Sequence, residues 1–389
     1  MASTLIRWLR KIALVLGVVF GGYALFLVVL ALICLLGKPA AGPLPQNAPL
    51  PAQAAAAADV GKNRRPLEDA YYGYPEWYIV WSYEERAQYL EKGSLPSGFP
   101  YFGSIYQYWR DACLVCEITH ARRQSNSGDL LMVVVLGSSF TLEYAIRGVY
   151  ERTIGWFSEW TSANELVDED AYAARVAREY ANFVYVRPFY EFHFAHALKG
   201  LWTETRFWGP HLLRKFERKA ILSVDYGLQA VYATFLEKAS HMTYGAESVE
   251  TYAWVENMPE SLFQKYPHVQ KVKNVGERAY IVSIPRYQEF TEVAMGLARD
   301  DVHFVQIAGN DEITVSAIMP NAAQSTQQAQ STQRAQPTQQ APEEHTLFTE
   351  NILTRPGAKR VVLECRVRDL HTVLNDLATR ATIEHIYDY

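Results

Sequence analysis

Between Lys11 and Lys38 the chain carries no charged side chain: Ile12 to Gly37 reads IALVLGVVFGGYALFLVVLALICLLG. About 25 helical residues rising ~1.5 Å each cover a hydrocarbon core of ~30 Å, so this stretch is predicted to be a transmembrane anchor. Arg7, Arg10 and Lys11 precede it, while Lys38 is the only basic residue in the next twenty. That asymmetry places the amino terminus in the cytoplasm and the bulk of the chain on the exported, periplasmic face. The apolar run is longer than the ~7 to 15 residues of a secretory signal, which favours an anchor that stays attached.

Residues 38–69 are rich in Ala and Pro, with Pro39, Pro43, Pro45, Pro49 and Pro51 forbidding a continuous helix, and read as an extended tether. Residues 70–245 read as an aromatic-rich helical domain. Fourteen aromatic residues fall between Tyr71 and Trp109, far above the chain average of 13%. Trp77, Tyr78 and Trp81 share a helix face, and Pro75 is placed to open that helix at its first turn. Asp129 to Trp160 reads as one long helix. Glu143 and Arg147 within it would each cost ~2.5–3.5 kcal/mol near a bilayer centre, so a buried soluble helix is expected rather than a second span.

A connector is expected over 246–276, and an α+β domain over 277–389. Val282, Arg286, Val293, Leu297 and Ala298 recur eighty residues later as Val362, Arg366, Val373, Leu377 and Ala378. Two βαβ units generate one four-stranded sheet with both helices on a single face, so a ferredoxin-like fold is predicted. Its halves are separated by a Gln-rich, low-complexity insertion over 320–346, expected to be disordered. The fold class is thus α+β: an N-terminal transmembrane helix, an all-α domain and a ferredoxin-like domain.

A net charge of −5 and a pI near 6.1 offer no electrostatic footprint for nucleic acid. No Walker A, GxGxxG, GxSxG or HExxH pattern occurs. Glu117 and His120 form one Glu-x-x-His pair, the spacing that projects a carboxylate and an imidazole inward in di-iron bundles. Glu143, His193 and His196 complete a candidate metal set, with Glu191, Glu237 and His241 as further donors. Cys113 and Cys116 could serve redox chemistry, and Asp225 is a charge in apolar surroundings.

The leading expectation is a single-pass, membrane-anchored, non-catalytic docking or assembly module of the cell envelope, with protein partners and no cofactor. The alternative is a membrane-bound metalloenzyme using iron or another divalent metal at Glu117, His120, Glu143, His193 and His196. A sensing role for the C-terminal domain rests on analogy of fold.

Overall fold

The computed structural model describes residues 67–122, 127–243, 250–321 and 344–388, with Gly21, Gly22, Leu25, Phe26 and Val29 of the amino-terminal stretch. The expected tether up to residue 66, the core of the Gln-rich insertion (322–343) and most of the expected anchor lie outside the described residues.

Helix α1 (Leu67–Glu91) carries the aromatic run. Pro75 sits inside it rather than at its first turn, because the helix begins eight residues earlier than the proline suggested. Helix α2 (Tyr101–Ala121) follows, then α3 (Ser127–Tyr150), a π-helical turn (Glu151–Gly155) and α4 (Trp156–Thr161) on one continuous axis. The remaining helices of this region are α5 (Asp168–Val184), α6 (Phe194–Glu204) and α7 (Leu212–Thr243). Helices α2 and α3 approach closely at Gly137, where an added Cβ would stand 2.2 Å from Tyr108 Cε1. The Tyr108 hydroxyl donates to the Val133 carbonyl at 2.6 Å and Trp109 Nε1 to Thr141 Oγ1 at 2.8 Å. Rings that bring a polar tip into an apolar core satisfy it there.

The expected connector supplies two strands, β1 (Glu250–Glu256) and β2 (Gln270–Gly276), with the short helix α8 (Leu262–Lys265) between them. Thr251, Ala253 and Val255 of β1 are buried on alternate positions, the period of a strand, where a connector was expected. Then come β3 (Ala279–Pro285), α9 (Gln288–Arg299), β4 (His303–Ile307), β5 (Glu312–Pro320), β6 (Glu344–Asn351), β7 (Ala358–Arg366), α10 (Leu370–Arg380) and β8 (Thr382–Ile386).

These strands do not form one ferredoxin-like sheet. They form two antiparallel four-stranded sheets, ordered β2-β3-β1-β4 and β6-β7-β5-β8. Each sheet uses its strands in the same order, with its helix leaving the third strand and returning on the fourth. Each eighty-residue repeat therefore closes its own sheet, because β1 in the first and β5 in the second pair between the two strands of the βαβ unit, while β2 and β6 add at the edge. Helices α9 and α10 pack together, Asn375 Nδ2 donating to the Ala298 carbonyl at 3.0 Å. Thr291 Oγ1 of α9 accepts from the Ile386 amide of the second sheet at 2.9 Å. The other face of that second sheet is covered by α1 and α2. One apolar cluster runs from α1, α2 and α3 through both sheets.

Candidate functional site

Helix α7 runs antiparallel to the α3–α4 axis, and the charges of both turn toward the seam between them. Ser139 meets Tyr232, Arg147 meets Asp225 at 2.8 Å, Tyr150 donates to Glu217 at 2.6 Å, and Arg214 lies 3.5 Å from Glu159. Glu143, expected as a metal ligand, accepts from Tyr83 at 2.8 Å and pairs with Arg147. Beyond Asp225 the charges are deeper. Arg214, Lys215, Arg218 and Lys219 are almost wholly buried, at spacings that put them on one side of α7.

Their partners come from the start of α5 and from the π-helical turn. Arg214 lies 2.9 Å from Asp170, Lys215 2.9 Å from Glu169, and Arg218 2.8 Å from Glu151. Asp168, Glu169 and Asp170 occupy the first turn of α5, where the helix dipole also favours negative charge. Removing one member of such a pair leaves a buried charge uncompensated, at about 3–5 kcal/mol.

The opposite side of both helices is apolar and open. Along α3 and α4, Leu131, Val135, Leu142, Ile146 and Val149 are 54 to 63% exposed, followed by Trp156 and Trp160 at 59 and 64%. Along α7, Leu213, Val224, Leu228 and Val231 are 54 to 71% exposed. The segment Gly128–Thr161 is long and apolar enough to cross a membrane, and only 22% of its most apolar stretch is buried. The helix expected here to be buried is instead largely open: Val133, Phe140 and Tyr144 reach the core and the ions turn to the seam, while one apolar side faces outward. The sequence estimate charged Glu143 and Arg147 as if they faced lipid, whereas the fold pairs them inward.

A second buried polar layer joins the helices to the second sheet. Arg360 of β7 is fully buried and stacks its guanidinium 4.2 Å from the Trp81 ring centroid. It pairs with Glu85 of α1 at 3.2 Å, with Glu384 of β8 at 2.5 Å and with Glu350 of β6. Burial pushes the Glu85 carboxyl up to about 7 although Arg360 pulls it down. Burial and the neighbouring Glu350 raise Asp111 well above the usual carboxylate range; burial also works against ionised Glu350, but Arg360 and hydrogen bonds from Asp111 and Gln107 hold it low. The pair divides into a neutral and an ionised carboxyl. Nearby, Arg122 pairs with Glu364 at 2.6 Å (Nη2 to Oε2), and His385 stacks on Trp77 with ring centroids 3.7 Å apart. Burial, then the Arg286 charge, lowers His385 to about 3.

The other metal candidates are scattered. Glu117 is exposed on α2, His120 is half-buried at its end, and His193 and His196 are exposed at the start of α6. Glu191 lies 3.8 Å from Arg187, and the side chains of Glu237 and His241 lie outside the described residues. Among the described residues no group of three His, Cys, Asp or Glu is placed to hold a metal ion. Cys116 is disulfide-bonded whereas Cys113 and Cys365 are free, so Cys113 and Cys116 do not form a redox pair with each other. Sequence reasoning missed the buried row Arg214, Lys215, Arg218, Lys219 and the hub at Arg360. The i, i+1, i+4, i+5 spacing in α7 was a readable signal for the first; nothing local marks Arg360.

No known protein family matches this chain, and neither the curated proteins nor the solved structures contain a match to it.

Proposed function

We propose that this chain is a non-catalytic docking or assembly module seated at a membrane, where its helical region holds the two-sheet unit for other envelope proteins to engage. The observation that carries this reading is the outward apolar face of Gly128–Thr161 with its charges turned inward. Monomeric proteins in water rarely leave so large a contiguous apolar surface open. The amino-terminal anchor and the exported location of residues 67–388 belong to the same proposal, supported by the charge asymmetry around Ile12 to Gly37. The shared strand order of the two sheets supports reading 250–388 as one structural unit used twice, giving two related surfaces for partners.

The test is extraction of native membranes with alkaline carbonate, followed by crosslinking and identification of captured chains. The protein is expected to remain in the pellet and to crosslink reproducibly to one or a few envelope proteins. Release by carbonate, or crosslinked membranes containing it only as a free monomer, would overturn the proposal.

A further inference from the structure

We infer that the amino-terminal apolar segment is clamped along α2 at two points, by the Phe26 ring on Trp109 and by a disulfide between Cys34 and Cys116, so that the folded body sits fixed on its anchor instead of hanging from it by the Ala/Pro-rich stretch. This rests on the membrane reading above and specifies how the anchor is joined to the body.

The first point is a ring contact. Phe26, near the middle of Ile12 to Gly37, meets Trp109 of α2 edge-on with ring centroids 5.0 Å apart. Trp109 is also the wall between α2 and α3: its Nε1 donates to Thr141 at 2.8 Å, and its Cη2 would stand 3.0 Å from a Cβ at Gly137. The middle of the anchor therefore lies beside the middle of the apolar helix. Leu25 and Val29 are 64 and 44% exposed, so the outward apolar surface includes the amino-terminal segment.

The second point follows from the cysteines. The chain has four: Cys34, Cys113, Cys116 and Cys365. Cys113 and Cys365 are free and Cys116 is disulfide-bonded, which leaves Cys34 as its partner. The two points agree in register. Phe26 and Cys34 are eight residues apart, a helical rise of about 12 Å, and Trp109 and Cys116 are seven apart, about 10.5 Å. Both pairs ascend together, so the two helices run parallel. Cys116 is 2% exposed and lies two turns from Trp109 on the same side of α2. Cys34 is three residues from Gly37, the end of the segment that the charge asymmetry places on the exported side. There the two thiols each lose a proton and pass two electrons to a disulfide oxidant, which leaves as its dithiol.

The clamp removes the reach of the tether. The Tyr72 hydroxyl meets Thr119 Oγ1 at 3.1 Å and the Tyr71 hydroxyl meets Arg122, so the start of α1 stands at the same end of α2 as Cys116. Residues 38–66 thus leave and rejoin the body near one point, although fully extended they would reach about 100 Å.

The experiment takes the full chain from native membranes with free thiols blocked by N-ethylmaleimide, digests it without reductant and maps it by mass spectrometry. The peptide carrying Cys34 is expected joined to the one carrying Cys116, at the sum of their masses less two hydrogens, with Cys113 and Cys365 alkylated. Cys34 and Cys116 both alkylated, or Cys34 joined to a second copy of the chain, overturns the clamp. Direction is read in a Cys34→Ser, Cys116→Ser background by oxidising engineered cysteines against native Cys113, one turn beyond Trp109. Leu30→Cys, one turn beyond Phe26, is expected to link, and Gly22→Cys, one turn before it, is not. Linking at 22, at both or at neither overturns the parallel packing. The mapping does not depend on lipid: a linked chain that alkaline carbonate releases would overturn the membrane seat and leave the clamp standing.

Discussion

Glu85 and His385 sit on two sides of the same contact between α1 and the second sheet, and burial moves their protonation in opposite directions. The Glu85 carboxyl rises from 4.5 to about 7, so the folded protein holds its proton longer than the unfolded chain. Its share of stability is complete below pH 4.5 and is lost as pH rises through about 7, roughly 3 kcal/mol in all. His385 falls from 6.5 to about 3; its share is complete above pH 6.5 and is lost as pH falls through about 3, roughly 4–5 kcal/mol. Between pH 4.5 and 6.5 the two slopes cancel. Replacing Glu85→Gln removes one of them: relative to the parent, the variant is expected to gain roughly 1.4 kcal/mol per pH unit from 4.5 to 7 and nothing further beyond. Denaturant unfolding across that range checks this, and a pH-independent difference would show that Glu85 is ionised throughout. His385→Gln is expected to flatten the acid limb between pH 4.5 and 3 and to leave stability falling as pH rises from 4.5 to 7, in the same measurement extended to pH 3.

At the scale of elements, two glycines separate the buried and open sides of the helices. Gly137 lets Tyr108 lie against α3, and a Cβ there would meet Cε1 at 2.2 Å, far inside contact distance. Gly227 lies on the open side of α7 with nothing within 4 Å of its would-be Cβ. Gly227→Ala is expected to raise stability by up to about 1 kcal/mol through helix propensity alone. Gly137→Ala brings the same propensity gain but forces α2 and α3 apart, an overpacking cost of about 1–3 kcal/mol, so it is expected to be neutral or destabilising. Thermal unfolding of the two variants in one detergent tests the contrast; equal shifts would mean that α2 and α3 are looser than Tyr108 and Gly137 indicate. Both residues are helical glycines in apolar sequence, and only their neighbours set them apart.

Over the whole molecule, the helical region and the second sheet are held together by Arg360, which reaches α1, β6 and β8 from β7. Arg360→Met leaves Glu85, Glu350 and Glu384 without their shared cation, and a loss of about 3–5 kcal/mol is expected in equilibrium unfolding. Adding Glu384→Gln should return part of that loss. A single-variant loss under 1 kcal/mol would mean that water reaches this layer and screens it.

What the residues determined by themselves was local. The helix over Asp168–Val184, the strand over Ala279–Pro285 and the helix after it follow from spacing along the chain, because their hydrogen bonds or side-chain periods close within a few residues. The eighty-residue echo was legible for the same reason. Tertiary structure decided the rest. Whether two βαβ repeats share a sheet depends on which strand slips between them, and β1 and β5 came from outside the repeated pattern. Whether Glu143 and Arg147 face lipid or protein depends on Asp225, seventy-eight residues beyond Arg147. Periodicity locates a charge on a helix; only the packed chain supplies the opposite charge, and with it the direction in which the apolar face must turn.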